Sequence, residues 1–387
     1  MEPEDHSQLP EVLAARAVSN YAGRTGQVDQ SKSGLTLSYI NWALFGSQGL
    51  RAGWSVLIFF VLFSAFSFAF GRVAVTLYPA MAKFDFSPTM GLISELIPLL
   101  SMVAAAAIVA RLEHRTILDY NLTGPRRISH FLAGSAAGIV ALSLLVGALC
   151  WGGWLHFGAL ALSGIGILQY AALWAVVFLV VALVEEGTFR CYLQSTLTRG
   201  INFWWALAVI AVLCGDLALR TKGNGVWGVY FIAVLGLVPC LMLHLKKIEN
   251  SGFWQAAWVT STAFGFIHTN NNGENWIGIF AAAGIGFVFC VSVRLTGSAW
   301  WAIGCHAAWD WAETYFYGTA DSGMTAQGHY MTATPAGAAL WSGGTDGPEG
   351  SVLVIPVVLL ILVALIAIYG RKKATAPSTE ALGQATV

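Results

Sequence analysis

GILQYAALWAVVFLVVALVEEGTFRCYLQSTLT, residues 166–198, decides what kind of molecule this chain is. From Gly166 to Val184 no side chain carries a charge. A run of that length crosses a hydrocarbon slab of roughly 30 Å at 1.5 Å per residue. Glu185 and Glu186 then interrupt it, and Arg190 follows four residues after Glu186. An ionisable side chain at the centre of a bilayer costs about 2.5–3.5 kcal/mol, so its default reading is functional and its partner should be sought. The i, i+4 spacing puts Glu186 and Arg190 on one helix face, where they can pair. Glu185, rotated by about 100° on the 3.6-residue period, is left free to act.

Outward from this stretch the same composition continues. Of 387 residues, 57% are hydrophobic and 10% are charged, against roughly 25% charged for a soluble domain. Apolar runs between polar or Gly/Pro breaks lie near 54–78, 89–111, 129–152, 166–198, 203–219, 225–245, 253–270, 275–294, 297–317 and 352–370. The expected fold is an all-α, polytopic transmembrane helical bundle of about ten spans. Residues 1–53 read as a cytoplasmic tail leading into a short interfacial helix over SYINWALFGSQGLRAGW. Residues 54–370 form the multi-span membrane domain, and 371–387 a second cytoplasmic tail. The first fifty residues lack an apolar h-region, so the first span is expected to direct insertion itself.

The distribution of basic residues sets the expected orientation. With the amino terminus inside, all of the 20 Lys and Arg fall on the cytoplasmic side except Arg72, Lys83, Arg220 and Lys222. Both termini are then cytoplasmic in a multi-pass protein of the cell membrane, with lipid as its surroundings. The segment DSGMTAQGHYMTATPAGAALWSGGTDGPEGS (321–351) has no basic residue and fits an external loop. A formal net charge of zero points away from a nucleic-acid partner. Six cysteines show no CxxC or other metal-ligand spacing and are expected to be free thiols.

Two more polar groups interrupt apolar runs. WVTSTAFGFIHTNNNG places Phe264 and His268 at i, i+4, and SAWWAIGCHAAWDWAETYFYG places His306 and Asp310 on one face with Glu313 almost on it. Asp310 accepting from one imidazole nitrogen would fix the tautomer of His306 and leave the other nitrogen for a substrate, water or metal. A lone histidine at a span end is more often a satisfied interfacial residue than a catalyst, so His268 gains meaning only in company. Arg72, Glu95, Asp216 and His244 sit singly or near span ends, where snorkelling or capping suffices.

If the fourth helix runs on to Arg199, Glu185 lies roughly 21 Å from its inner end, and His268 and His306 lie roughly 23 Å and 14 Å from theirs. All three then fall inside the slab. Were the helix to end at Glu185, the carboxylate and His268 would lie at opposite faces and share no site.

EExxxR (Glu185, Glu186, Arg190), FxxxH (Phe264, His268) and HxxxD (His306, Asp310), in that order on separate apolar helices, resemble the CPBP family of intramembrane proteases. That family includes the CAAX prenyl endopeptidases and bacterial proteins of bacteriocin processing and self-immunity. The resemblance covers about 166–317 and implies an intramembrane endopeptidase acting on a peptide or protein substrate, membrane-anchored or not. By it Glu185 activates the attacking water with help from His268, and His306 and residue 310 hold the developing oxyanion. Members with asparagine at that last place can donate an amide N–H, whereas an ionised Asp310 only accepts, so Asp310 is expected to orient His306 instead. Glu185, His268 and His306 could also bind Zn²⁺ with an open position for water. The same groups could equally run a metal-free glutamate mechanism, which the absence of an HExxH pair favours. The competing classes are a proton- or ion-coupled transporter, for which two related halves are expected and none is evident, and a non-catalytic immunity or scaffold protein of the same fold.

Overall fold

The computed structural model describes residues 43–46, 49–82, 85–221, 226–271 and 273–370, so the polar tail expected over 1–37, the start of the expected interfacial helix at 38–42 and the tail expected over 371–387 lie outside the described residues. The chain divides into two compact units, Met1–Trp54 and Ser55–Val387. In the first, β1 (Phe45–Gly46) and β2 (Gly49–Leu50) pair as an antiparallel hairpin, and Trp54 Nε1 donates to the Ala43 carbonyl at 3.0 Å. Of the stretch expected as an interfacial helix, residues 38–42 lie outside the described residues, and Phe45–Gly46 and Gly49–Leu50 are paired strands rather than helix. Gly49 explains why: its φ of 92° is left-handed backbone that a right-handed helix cannot use.

Among its described residues the second unit is built on ten longer helices, one for each apolar run. They are α1 (Ala52–Leu77, starting just before the unit boundary), α2 (Pro88–Leu112), α3 (Arg127–Trp151) and α4 (Ile165–Glu186), followed by α5 (Phe203–Arg220) and α6 (Val226–Leu245). Then come α7 (Ser251–Ile267), α8 (Trp276–Thr296), α9 (Trp300–Asp310) and α10 (Val354–Leu365). The starts are encoded locally. Ser87 accepts from Met90 N ahead of Pro88, Asn202 accepts from Trp204 N and Trp205 N, and Asn275 accepts from Ile277 N and Gly278 N.

Among the described residues, 7 helices are long and apolar enough to cross a membrane: α1, α2, α3, α4 counted through to Thr198, α5, α6 and α8. The other three expected spans are shorter as α-helices. α7 has 17 residues, α9 continues as a π-helical segment over Trp311–Tyr317, and α10 continues similarly to Gly370. Large apolar side chains face outward, Phe68 at 73% and Leu219 at 87% exposure. Water does not tolerate such a surface, whereas lipid does. The protein is a multi-pass helical membrane bundle.

Close contact between α3 and α9 sets where His306 and Asp310 stand in the bundle. Where the two helices cross, a Cβ on Gly134 would collide with the Trp301 carbonyl, and one on Gly138 with the Cys305 carbonyl; on the facing side, Gly304 makes the same allowance for the Phe131 carbonyl. Gly134 and Gly138 form a GxxxG step that lets the two backbones touch, the usual device of helix association in lipid. Gly138→Val is expected to destabilise the protein by about 1–3 kcal/mol in detergent unfolding. Gly147→Val on the same helix, where a Cβ meets nothing within 4 Å, should leave the transition where it is.

The segment expected as an external loop is folded back. Its strand β4 (Met331–Pro335) pairs antiparallel with β3 (Leu155–Leu160) after α3, so the loop is tied at its middle.

Candidate functional site

The helix carrying the two glutamates does run on. α4 continues through a π-helical segment, Gly187–Leu193, into Gln194–Thr198, a continuous helix of 34 residues. Glu186 is the last α-helical residue before the π segment, and Asp310 holds the same position at the end of α9. Such widened turns lose regular i→i−4 bonds and concentrate at functional sites. The carbonyls they release are taken up from outside. Asn121 Nδ2 donates to Arg190 O at 2.7 Å, Thr319 N and Oγ1 donate to Glu313 O at 3.1 and 3.0 Å, and Tyr330 N donates to Tyr315 O at 2.7 Å.

Between these helices runs a chain of charge contacts. Arg190 Nε lies 3.1 Å from Glu186 Oε2, both side chains fully buried. Glu186 Oε1 lies 2.9 Å from His306 Nδ1. His306 Nε2 lies 3.4 Å from Asp310 Oδ2 and 3.7 Å from Glu185 Oε2. A carboxylate accepts, so Nδ1 donates to Glu186 and Nε2 is turned towards Glu185 and Asp310. The residue that fixes the His306 ring most closely is therefore Glu186, from another helix, rather than Asp310 one turn on.

Arg190 sits in an aromatic box, its guanidinium carbon 4.2 Å from the Phe264 ring centroid, 5.4 Å from Phe289 and 5.7 Å from Phe189. Among the described residues its side-chain nitrogens make no hydrogen bond of good geometry, so the contact with Glu186 is one of charge. Gly286 leaves the space for it: a Cβ there would stand 2.5 Å from Arg190 Nη2. Phe264 of the FxxxH pattern thereby gains a physical task. It faces Arg190 and, 6.1 Å away, edges onto His306.

His268 caps α7 and opens the short turn His268–Asn270. Its Nδ1 lies 2.7 Å from the Phe264 carbonyl, which can only accept, so Nδ1 carries the proton and Nε2 is free. Arg220, at the end of α5, holds this turn from outside. It contacts Asp216 Oδ2 at 2.6 Å and Thr269 Oγ1 at 3.2 Å, and donates to Asn270 Oδ1.

Glu185, His268, His306 and Asp310 all line one cavity of about 430 Å³. Glu186 and Arg190 stand behind it. Glu95 of α2 and Asp321 and Glu349 of the folded-back segment line it as well, none of which the spacing of motifs singles out. Glu313 does not; it is buried and accepts from Trp309 Nε1 at 3.1 Å. In the folded-back segment, burial pushes the Asp321 carboxyl up against the hydrogen bond from Thr314. Burial, and then the charges of Asp321 and Asp310, holds Glu349 well above the usual range. In the loop before α8 and opposite it, burial and their mutual charge raise Glu274 to about 8, and burial raises Asp346 to about 6.

The conditional Zn²⁺ set, Glu185, His268 and His306, is not brought to ligand spacing. No three of His, Cys, Asp or Glu among the described residues are grouped to hold a metal ion. The arrangement therefore gives no support to a three-ligand zinc site built from Glu185, His268 and His306.

Residues 167–247 and 239–312 match the family model described as Type II CAAX prenyl endopeptidase Rce1-like. The stretch from 167 to 312 is thus similar to the Rce1-like endopeptidases of the CPBP family. Comparison with curated proteins gives no match, nor does comparison with solved structures. The Rce1-like match begins in α4 and ends just beyond Asp310, so it holds Glu185, Glu186, Arg190, His268, His306 and Asp310. The family is one of intramembrane CAAX-type endopeptidases. Arg220 also lies inside the match and acts on the site only through the turn it clamps. Arg220→Met is expected to lower the kcat of peptide cleavage about tenfold with little change in KM, because small misplacements of a positioned group cost rate. Arg220→Lys should restore part of the loss, which a mere effect on protein yield would not reproduce.

Proposed function

We propose that this Rce1-like protein is a glutamate-type intramembrane endopeptidase. The observation that carries this reading is the cavity that Glu185, His268 and His306 share, although they come from three helices far apart in sequence. Glu185, loosely held at 3.7 Å from its nearest ionic partner, takes a proton from a water whose oxygen attacks the scissile carbonyl carbon. The free Nε2 of His268 accepts the second hydrogen of that water and aims it. The carbonyl π electrons move onto oxygen, and His306, donating through Nε2, stabilises that oxyanion. Collapse of the tetrahedral intermediate breaks the C–N bond. The proton held on Glu185 passes to the leaving nitrogen, giving a carboxylic acid and an amine. Glu186, charged against Arg190, orients His306 through Nδ1, and Asp310 holds the Nε2 side. Asp310 is thus assigned to positioning the ring rather than to the oxyanion.

The substrate is a peptide or protein segment in or at the membrane. The asymmetry of Lys and Arg supports an orientation with both termini on the cytoplasmic side of the cell membrane. The test is a comparison of membrane-associated peptides in cells carrying wild-type protein or Glu185→Ala. Uncleaved precursors should accumulate only in the variant. Identical peptide populations in the two strains would sink the proposal.

A further inference from the structure

The cavity that holds Glu185, His268 and His306 is unbalanced in charge. Glu95, Glu185, Asp310, Asp321 and Glu349 line it, and among the described residues its lining contains no Lys or Arg. Its basic groups are the two imidazoles, and His306 is already faced by Glu185, Glu186 and Asp310. Arg190, the guanidinium beside this group, is engaged with Glu186 behind the wall. Three of the five carboxylates, Glu95, Asp321 and Glu349, come from outside residues 167–312, the stretch that matches the Rce1-like family model. The lining also holds apolar side chains, among them Ala281, Ala282, Ile285, Val354 and Val358.

We propose that the segment bound here is a peptide with Lys or Arg beside an apolar stretch, not a peptide end presenting a free carboxylate; this rests on the endopeptidase reading. A carboxylate entering the cavity would meet carboxyl groups and, among the described residues, no Lys or Arg in the lining, in surroundings where screening is weak. A cation entering it finds Glu95, Asp321 and Glu349, beside which the lining offers no Lys or Arg among the described residues. Asp321 and Glu349 are the specificity residues. Asp321 is near enough to be influenced by His306, Glu185 and His268, and Glu349 by Asp321 and Asp310. Burial and crowding hold both carboxyls above their ordinary range, a cost that an arriving cation relieves. The apolar side chains of the lining then receive the adjoining stretch of substrate.

The experiment uses the full chain in lipid nanodiscs and three internally quenched peptides that share one apolar stretch and differ in a flanking Lys, Gln or Glu. Cleavage of the Lys peptide should exceed that of the Glu peptide at least tenfold in kcat/KM at low salt, and the ratio should shrink in 0.5 M NaCl. Asp321→Asn with Glu349→Gln should reduce the ratio at least threefold, in a preparation whose thermal transition confirms folding. Equal cleavage of all three peptides, or preference for Glu, overturns the charge inference and leaves the endopeptidase reading standing. Binding of the same peptides to Glu185→Gln separates the two. Tighter binding of the Lys peptide with no cleavage by wild type keeps the charge inference and sinks the endopeptidase reading. No cleavage and no binding preference sinks both.

Discussion

Glu185→Gln is expected to abolish peptide cleavage, with a loss on the order of 10²–10⁴-fold or more, the usual contribution of a positioned general base. The substitution removes the one atom that matters to the chemistry, an oxygen able to take and return a proton, and preserves the shape of the side chain. Stability should change little. Glu185 lines the cavity rather than the core, and its nearest ionic partner, His306 Nε2, is 3.7 Å away. The same variant therefore inserts, survives extraction and unfolds at the temperature of wild type. Full cleavage activity in Glu185→Gln would remove the carboxylate from the mechanism altogether.

The second large effect is on stability. Arg190→Met should destabilise the protein by about 3–5 kcal/mol, the cost of leaving one member of a buried ion pair without its partner. Arg190 and Glu186 are both inaccessible to solvent, and a charge on Glu186 would keep only His306 as counter-ion. Glu186→Gln together with Arg190→Met removes both charges and should recover a large part of the loss. Methionine fits the space framed by Phe264, Phe289 and Phe189 and keeps favourable ring contacts through its sulfur. Denaturant titration of the three proteins in the same detergent gives the comparison. A single variant as stable as the double would mean that Glu186 needs no cation beside it. Loss of activity should accompany both, because Glu186 also holds Nδ1 of His306.

The sequence was most informative where physics is local. Each of the ten apolar runs is a helix, because a backbone in lipid must satisfy its hydrogen bonds within the segment. The long fourth helix follows from the apolar and polar residues on both sides of Glu185. The pairing of Glu186 with Arg190 follows from a spacing of four. What crosses between helices is not written in any single run. Glu186 meeting His306 requires α4 and α9 to be neighbours, and that rests partly on Gly134 and Gly138 of a third helix. The GxxxG spacing is readable in the chain, yet the partner it selects is not. Glu95, Asp321 and Glu349 reach the cavity from α2 and from a segment whose glycines and small polar residues suggest only an exposed loop. The strand pairing that folds this segment back, Leu155–Leu160 with Met331–Pro335, lies beyond the reach of periodicity, and five residues in a glycine-rich tract carry no alternation strong enough to announce it. The hairpin at Phe45–Leu50 escaped for a related reason. Aromatic and basic residues suit a membrane surface in either conformation, and only the backbone demand of Gly49 distinguishes them.

The π-helical turns after Glu186 and Asp310 bear on how this chain lines up with its relatives. A π turn of this kind amounts to one residue inserted into an α-helix. A homologue wound as plain α-helix through the same region would be one residue shorter between its second glutamate and the inner end of the helix. Alignment would place that gap inside a transmembrane segment, where gaps are normally penalised, or push it into a neighbouring loop and shift every intervening residue by about 100° around the axis. Numbering from Arg199 upward and numbering from Glu185 downward would then disagree by one, and the disagreement itself would mark which family members share this turn.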